Sequence, residues 1–134
     1  MKNKNNLVLK LHHASLIVAD LDIALSFYQN VLGLSCDESR PDLGYPGVWL
    51  ILPEKQQLHL MELENPDKNS KRPEHGGRDH HLAFAVSSIN NIAKSLENLE
   101  MPFTKSKSGR KALFCRDPDG NALEFIEVHT SGVL

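Results

Sequence analysis

Side chains that can bind a divalent metal recur at equivalent positions in the two halves of the 134-residue sequence. His13 lies 68 residues before His81, and His59 lies 65 residues before Glu124. Imidazole nitrogen and carboxylate oxygen suit Zn, Ni, Fe, Co or Mn, and two to four such ligands leave coordination positions open for a substrate. The neighbouring residues that match at the same offsets are Leu16 with Phe84, Val18 with Val86, Leu60 with Phe125 and Pro53 with Pro118. The pattern indicates an internal duplication that carries a metal site.

The segments that hold these four residues are predicted to be strands. The predicted strands span 11–19, 48–52, 58–63, 81–86, 112–116 and 122–128, with a further short strand in each half at 35–37 and 103–104. Alternate residues of a strand face opposite sides of a sheet. If a pseudo-two-fold axis relates the halves, His13, His59, His81 and Glu124 therefore converge on one concave surface.

A helix follows the first strand of each half. Asp20, and Ser87 or Ser88, are predicted N-caps, and Gly33 suits the left-handed position that ends the first helix. The apolar stripes of the two helices are Leu21, Leu25, Tyr28 and Leu32, then Ile89, Ile92, Leu96 and Leu99. We therefore predict one α+β domain over 1–134, with modules of about 10–64 and 80–129 and a linker of about 65–79.

Several nearby residues offer alternatives to this ligand set. Glu62 replaces His59 as the ligand if the third strand begins later, although the duplication pairs His59 with Glu124. His12 and His80 point away from the site by strand parity and are predicted not to bind metal. Cys115 adjoins Phe114 on a core strand and is interpreted as a small buried hydrophobic residue.

Composition excludes several broad classes of protein. The chain has 15 Lys and Arg against 17 Asp and Glu, and this net charge of −2 argues against nucleic acid as the main partner. Apolar runs such as 48–52 are too short to cross a bilayer, and no signal-peptide core follows the N-terminus. Two cysteines form no disulfide framework. We expect a cytoplasmic protein whose partner is a small-molecule substrate.

Four stretches of the sequence resemble the vicinal-oxygen-chelate superfamily, which includes glyoxalases, bleomycin-resistance proteins and dioxygenases. They are 11–21 around His13, 27–34, the strand 81–86, and 116–125 with its Asp-Pro-Asp-Gly turn before Glu124. The resemblance covers nearly all of 10–129. It implies two βαβββ modules that form an eight-stranded cup, or half-barrel, around a divalent metal.

The resemblance also implies ligands and assembly. The family's ligands fall on His13, His81 and Glu124, while His59 occupies a fourth position that is often Glu or Gln. Known members are often homodimers, and some share sites between chains. A homodimer is therefore expected here, with the site either within one chain or shared.

The first functional hypothesis is a lyase or isomerase of the glyoxalase kind. The metal would hold two adjacent substrate oxygens, and Glu124 would be both ligand and base, because His59 stands where related enzymes often carry a second Glu. The alternatives are an Fe(II) ring-cleaving dioxygenase, a thiol transferase of the fosfomycin-resistance kind with a phosphonate held by the loop 105–111, and a non-catalytic binding protein.

Overall fold

The computed structural model describes residues 7–129, which form two α-helices, two short 3₁₀ helices and seven strands in an α+β fold. The elements are β1 (His13–Val18), α1 (Leu21–Leu32), β2 (Gly47–Ile51), β3 (Gln57–Glu62), β4 (His81–Val86), α2 (Ile89–Asn98), β5 (Phe103–Lys105), β6 (Ala112–Arg116) and β7 (Ala122–Glu127). All six main strands predicted from the sequence are present, with ends that differ by at most two residues.

The two halves build sheets of the same topology. The first sheet has the order β1-β3-β2, and the second has the order β4-β7-β6-β5. In each sheet the first strand runs parallel to the last strand of its half, and the remaining pairs are antiparallel. The register repeats as well, since Trp49 lies opposite His59 as Phe114 lies opposite Glu124. The structure thus supports the duplication at the level of individual residue pairs.

The first half has a bridge where an eighth strand is predicted. Cys36 forms an isolated bridge with Leu50, while the equivalent 103–105 is a strand. The carboxylate of Asp37 accepts hydrogen bonds from the backbone N–H and hydroxyl of Ser39. This turn directs the chain away from β2 immediately after the bridge, so the described residues hold seven strands.

The helices begin and end as their sequences predict. Asp20 accepts a hydrogen bond from the N–H of Ile23, Ser88 accepts one from the N–H of Asn91, and Gly33 ends α1 with φ of 65°. The buried face of α1 is centred one residue away from the predicted stripe and comprises Ala24, Phe27, Tyr28 and Val31. The predicted leucines flank this face and are half-buried.

One hydrophobic core joins both halves. Leu58 and Leu60 of the first sheet and Leu123 and Phe125 of the second belong to the same buried cluster as the helix residues. Cys115 is part of this core, as predicted, and its burial raises the pKa of the thiol to about 12. Neither α-helix among residues 7–129 has the length and hydropathy of a membrane-spanning segment.

Candidate metal centre

The four predicted ligands lie on the sheet faces that point away from the hydrophobic core. On β3 the core residues are Leu58 and Leu60, so His59 projects from the opposite face. The same alternation places Glu124 between Leu123 and Phe125 of the core. His13 and His81 begin β1 and β4, which are adjacent to β3 and β7. Each sheet therefore presents one pair of candidate ligands.

The first pair, His13 and His59, forms a stack of parallel rings. Their centroids are 4.2 Å apart with planes inclined by 17°, and the Trp49 ring also stacks on His59 at 4.8 Å. Burial lowers the pKa of His59, and the nearby His13 and His12 rings lower it further. His59 is consequently a neutral imidazole at pH 7, the form that binds a metal ion.

A hydrogen bond at Nε2 fixes the orientation of the His59 ring. Nε2 of His59 lies 2.8 Å from Oε1 of Gln57, and Nε2 of Gln57 donates to Oδ2 of Asp37 at 2.7 Å. Bonds from Ser39, then the bond from Gln57, lower the pKa of Asp37. Asp37 is therefore an ionised carboxylate at neutral pH, and it is the last group in the hydrogen-bonded series His59–Gln57–Asp37.

The second pair, His81 and Glu124, is held at close range. Nε2 of His81 lies 3.1 Å from Oε1 of Glu124, and Nδ1 of His81 lies 2.8 Å from the backbone carbonyl of Asp79. The side chain of Glu124 is only 5% exposed. Arg110 donates from Nη2 to the other carboxylate oxygen at 3.1 Å, so a cation neutralises this buried group.

A segment of the linker covers the same face of the second sheet. His75 packs on Phe114 with centroids 4.9 Å apart, and Phe114 contacts His81 edge to face at 5.7 Å. A Cβ at Gly77 would stand 3.1 Å from Cζ of Phe114 and 3.0 Å from Nδ1 of His75. A side chain at position 77 would therefore force Phe114 or His75 to shift by a few tenths of an ångström.

Glu62, the alternative ligand to His59, binds the N-terminus of α1 instead. Its Oε2 accepts a hydrogen bond from the N–H of Leu21 at 2.9 Å, and the equivalent Glu127 accepts one from the N–H of Ile89 at 3.1 Å. Both carboxylates satisfy free donors at a helix N-terminus. Residues 59 and 62 also face opposite sides of β3, so the geometry favours His59 as the residue on the candidate site's face.

The histidines predicted to point away differ in their behaviour. His80 faces Arg72, at a short contact with its guanidinium. His12 instead contacts His13, with their Nδ1 atoms 2.9 Å apart. Because β1 begins at His13, strand alternation does not extend to residue 12. The expectation that the His12 side chain lies on the far side was therefore wrong, and its predicted lack of a ligand role remains a prediction.

The two candidate pairs do not meet within one chain. Among residues 7–129, no three His, Cys, Asp or Glu side chains lie close enough together to hold a metal ion. A groove of about 410 Å³ is lined by Ser15 and Ile17 of β1 and by His81 and Leu82 of β4. The described part of one chain thus holds two candidate half-sites, His13 with His59 and His81 with Glu124, rather than the convergent set expected from the repeat.

Three residues lie around the candidate half-sites without having been predicted from the sequence to do so. Asp37 and Gln57 are 20 residues apart, and no local pattern links them to His59. Arg110 has a partial signal in the sequence, because it lies in the basic loop 105–111 that would hold a phosphonate in one of the alternative functions. Its contact with Glu124 follows from the β6–β7 hairpin, which folds the start of β6 beside the end of β7.

Comparisons with known proteins agree with this architecture. The sequence model of the Glyoxalase/Bleomycin resistance protein/Dioxygenase superfamily matches residues 10–125. The chain is 29% identical over 129 residues to Glyoxylase I 4 of Arabidopsis thaliana, covering 92% of this chain and 74% of that protein. It is 30% identical over 122 residues to lactoylglutathione lyase of Haemophilus influenzae, covering 86% and 90%. The chain belongs to the Glyoxalase/Bleomycin resistance protein/Dioxygenase superfamily.

A solved structure shows the same fold. The fosfomycin resistance protein FosX of Listeria monocytogenes, in complex with Mn(II) and sulfate, superposes with a TM-score of 0.71 at 18% identity. The match covers 93% of this chain and 97% of FosX. At this level of identity the likeness establishes the fold.

Proposed function

We propose that this protein is a divalent-metal-dependent lyase or isomerase whose substrate presents two adjacent oxygens to the metal. His13, His59, His81 and Glu124 are the proposed ligands, and Zn, Ni, Co, Mn or Fe is the proposed ion. The relatives named lactoylglutathione lyase and Glyoxylase I 4 support a lyase, and the Mn(II) complex of FosX supports a divalent metal.

The geometry of His81 carries the proposal. A backbone carbonyl only accepts hydrogen bonds, so the 2.8 Å contact with Asp79 assigns a proton to Nδ1 of His81. Nε2 of the same ring lies 3.1 Å from Oε1 of Glu124. A divalent cation would take the place of the proton between these two atoms, because imidazole nitrogen and carboxylate oxygen both bind metals once they are deprotonated. A ring nitrogen bonded to a carbonyl is also the usual second contact of a metal-binding histidine.

Completion of the site requires a second copy of the chain. Each chain supplies a His13–His59 pair and a His81–Glu124 pair on separate sheets. A homodimer that places the first pair of one protomer against the second pair of its partner would bring four ligands together at each of two sites. Homodimers with shared sites are known in this family, as the sequence resemblance implies.

The residues on these faces suggest how a proton would move. The metal would polarise the substrate oxygens and stabilise the negative charge that develops there. Glu124 accepts the proton from the neighbouring substrate carbon and returns it to the adjacent position. His81 holds the carboxylate in place, and Phe114 forms an apolar wall beside the imidazole. His59 is the second candidate base if it leaves the metal.

The first test is elemental analysis of protein purified without a metal-affinity tag, followed by hemithioacetal turnover with added Ni or Zn. Glu124→Gln should lose both metal and turnover, whereas His129→Ala, an exposed histidine, should retain both. Wild-type protein that binds none of the five metals contradicts the proposal. Bound Fe with oxygen uptake on catechols would favour the dioxygenase.

Complementation tests whether the site is shared. His13→Ala and Glu124→Gln should each be inactive alone. A mixed dimer of the two variants would contain one intact site if ligands come from both protomers, so turnover should return on mixing. Mixtures that exchange subunits and stay inactive would place the site within one chain.

One observation favours a second candidate, the opening of an epoxide phosphonate. Arg110 brings a guanidinium from the basic loop 105–111 to Glu124, where it could also hold a phosphonate. The fosfomycin resistance protein FosX shares the fold. Metal-dependent loss of fosfomycin in the presence of a thiol, without hemithioacetal turnover, would select this function.

A further inference from the structure

Two consecutive hydrogen bonds, between Asp37 and Gln57 and between Gln57 and His59, determine which nitrogen of His59 carries the proton. The carboxylate of Asp37 accepts three hydrogen bonds. Its Oδ1 accepts from the N–H and the hydroxyl of Ser39 at 2.9 and 2.7 Å, and its Oδ2 accepts from Gln57 at 2.7 Å. A carboxylate accepts hydrogen bonds and donates none when ionised. Only the NH₂ group of Gln57 can therefore face Asp37.

The orientation of this amide fixes a proton on His59. With its NH₂ group directed at Asp37, Gln57 presents the carbonyl Oε1 to Nε2 of His59, 2.8 Å away. That oxygen accepts, so Nε2 of His59 must donate and carry the proton. In a neutral imidazole the other nitrogen, Nδ1, then holds the lone pair.

Ring contacts restrict the same imidazole on its faces. His13 and Trp49 both stack on it, inclined by 17° and 14°. Rotation of the ring would disrupt these stacks as well as the bond to Gln57. The plane of His59 and the position of its proton are therefore set by different neighbours.

We propose that Asp37 and Gln57 are positioning residues that hold the proton of His59 on Nε2 and present Nδ1 as the metal-binding atom. The assignment of Nδ1 to a metal rests on the proposed function, whereas the position of the proton rests on the hydrogen bonds alone. Loss of such outer partners typically lowers metal affinity about 10- to 100-fold.

A charge reversal at position 37 tests the Asp37–Gln57–His59 hydrogen bonds directly. In Asp37→Lys the new ammonium group donates, so the Gln57 amide should reverse and offer its NH₂ group to Nε2 of His59. Two-bond ¹H–¹⁵N spectra of the histidine rings should show the Nε2–H tautomer in wild type and the Nδ1–H tautomer in this variant. His59→Gln identifies the signal.

A matched variant distinguishes the effect of the Asp37–Gln57–His59 hydrogen bonds from a general effect of added positive charge. Glu38→Lys makes the same charge change at an exposed neighbour and should leave the tautomer unchanged. An Nδ1–H tautomer in wild type, or an unchanged tautomer in a folded Asp37→Lys variant, overturns the proposal.

Metal titration then distinguishes this inference from the proposed function. Zn²⁺ affinity measured by calorimetry should fall at least tenfold in Asp37→Lys and remain within twofold in Glu38→Lys. If wild type binds Zn²⁺, Glu124→Gln abolishes binding and Asp37→Lys has no effect, the role of Nδ1 is wrong while the metal site stands. If wild type binds no metal but shows the predicted tautomers, the proposed function and the metal role of Nδ1 fail, and the proton assignment stands.

Discussion

The hydroxyl of Tyr28 on α1 donates a 2.6 Å hydrogen bond to Oδ2 of Asp117, in the turn between β6 and β7. This buried contact joins the helix of the first half to the second sheet. Tyr28→Phe should lower the free energy of unfolding by about 1–3 kcal/mol, because it leaves a buried carboxylate with one partner fewer. Urea denaturation measures the change, and Tyr45→Phe, a half-buried tyrosine, should cost less.

The same contact predicts a loss of stability at high pH. Burial, followed by the charge of Asp117, raises the pKa of Tyr28 well above its ordinary value of 10.0. The unfolded chain therefore loses this proton near pH 10, while the folded chain retains it. Stability should be constant below pH 10 for this group and decline above it. Tyr28→Phe should reduce the decline, and an equal slope in both proteins would contradict the assignment.

Arg110 is expected to compete with a metal ion for Glu124. Its guanidinium donates to Oε2 of Glu124, an oxygen of a predicted ligand. Arg110→Gln should therefore raise Zn²⁺ or Mn²⁺ affinity several-fold, measured by calorimetry. Lys107→Gln removes a charge from the same loop without touching Glu124, and it should change the affinity less. Weaker metal binding in Arg110→Gln would show that the guanidinium supports the site instead.

Glu62 is expected to matter for stability and not for metal. Its carboxylate accepts the hydrogen bond from the N–H of Leu21, so Glu62→Ala should cost about 1–2 kcal/mol. Metal content after reconstitution should equal that of wild type. Glu64→Ala, at an exposed position, provides the control for stability. Loss of metal in a folded Glu62→Ala protein would restore Glu62 as the fourth ligand.

Asp79 predicts a specific response to acid. Its hydrogen bond from Arg72, aided by that from Arg116, lowers the pKa of Asp79 from 3.8 to about 2. A lowered pKa in the folded state contributes stability above pH 3.8 that disappears as the pH falls through about 2. Asp79→Asn should be less stable than wild type at pH 6, and the two unfolding curves should converge near pH 2. Two unfolding curves that stay equally far apart from pH 6 to pH 2 would contradict this role of Asp79.

Strand alternation and capping signals predicted much of this fold from the sequence. Asp20, Gly33 and Ser88 act through neighbours within a few residues, so their roles are visible locally. The face occupied by His59 and Glu124 also follows from alternation along one strand. These inferences need no knowledge of how distant segments pack.

The arrangement of the two half-sites could not be derived in this way. Strand alternation determines which face of its sheet a side chain occupies, but it does not determine where one sheet lies relative to the other. The expected convergence of His13 with His81 within one chain is therefore not found among the described residues. The bonds of Gln57 to Asp37 and of Arg110 to Glu124 depend on tertiary approach. The side of β1 on which His12 lies does not follow from alternation, because the strand begins at His13.

Gly77 limits how far the connection between the two halves can vary. Any larger residue there would press on both Phe114 and His75, and Phe114 lies against the His81 ring. Substitutions along most of the exposed stretch from 66 to 74 meet no comparable obstacle. Divergent descendants of this chain should thus accumulate changes in that stretch outside Arg72, the partner of Asp79, while a methyl group at position 77 would force Phe114 or His75 to shift.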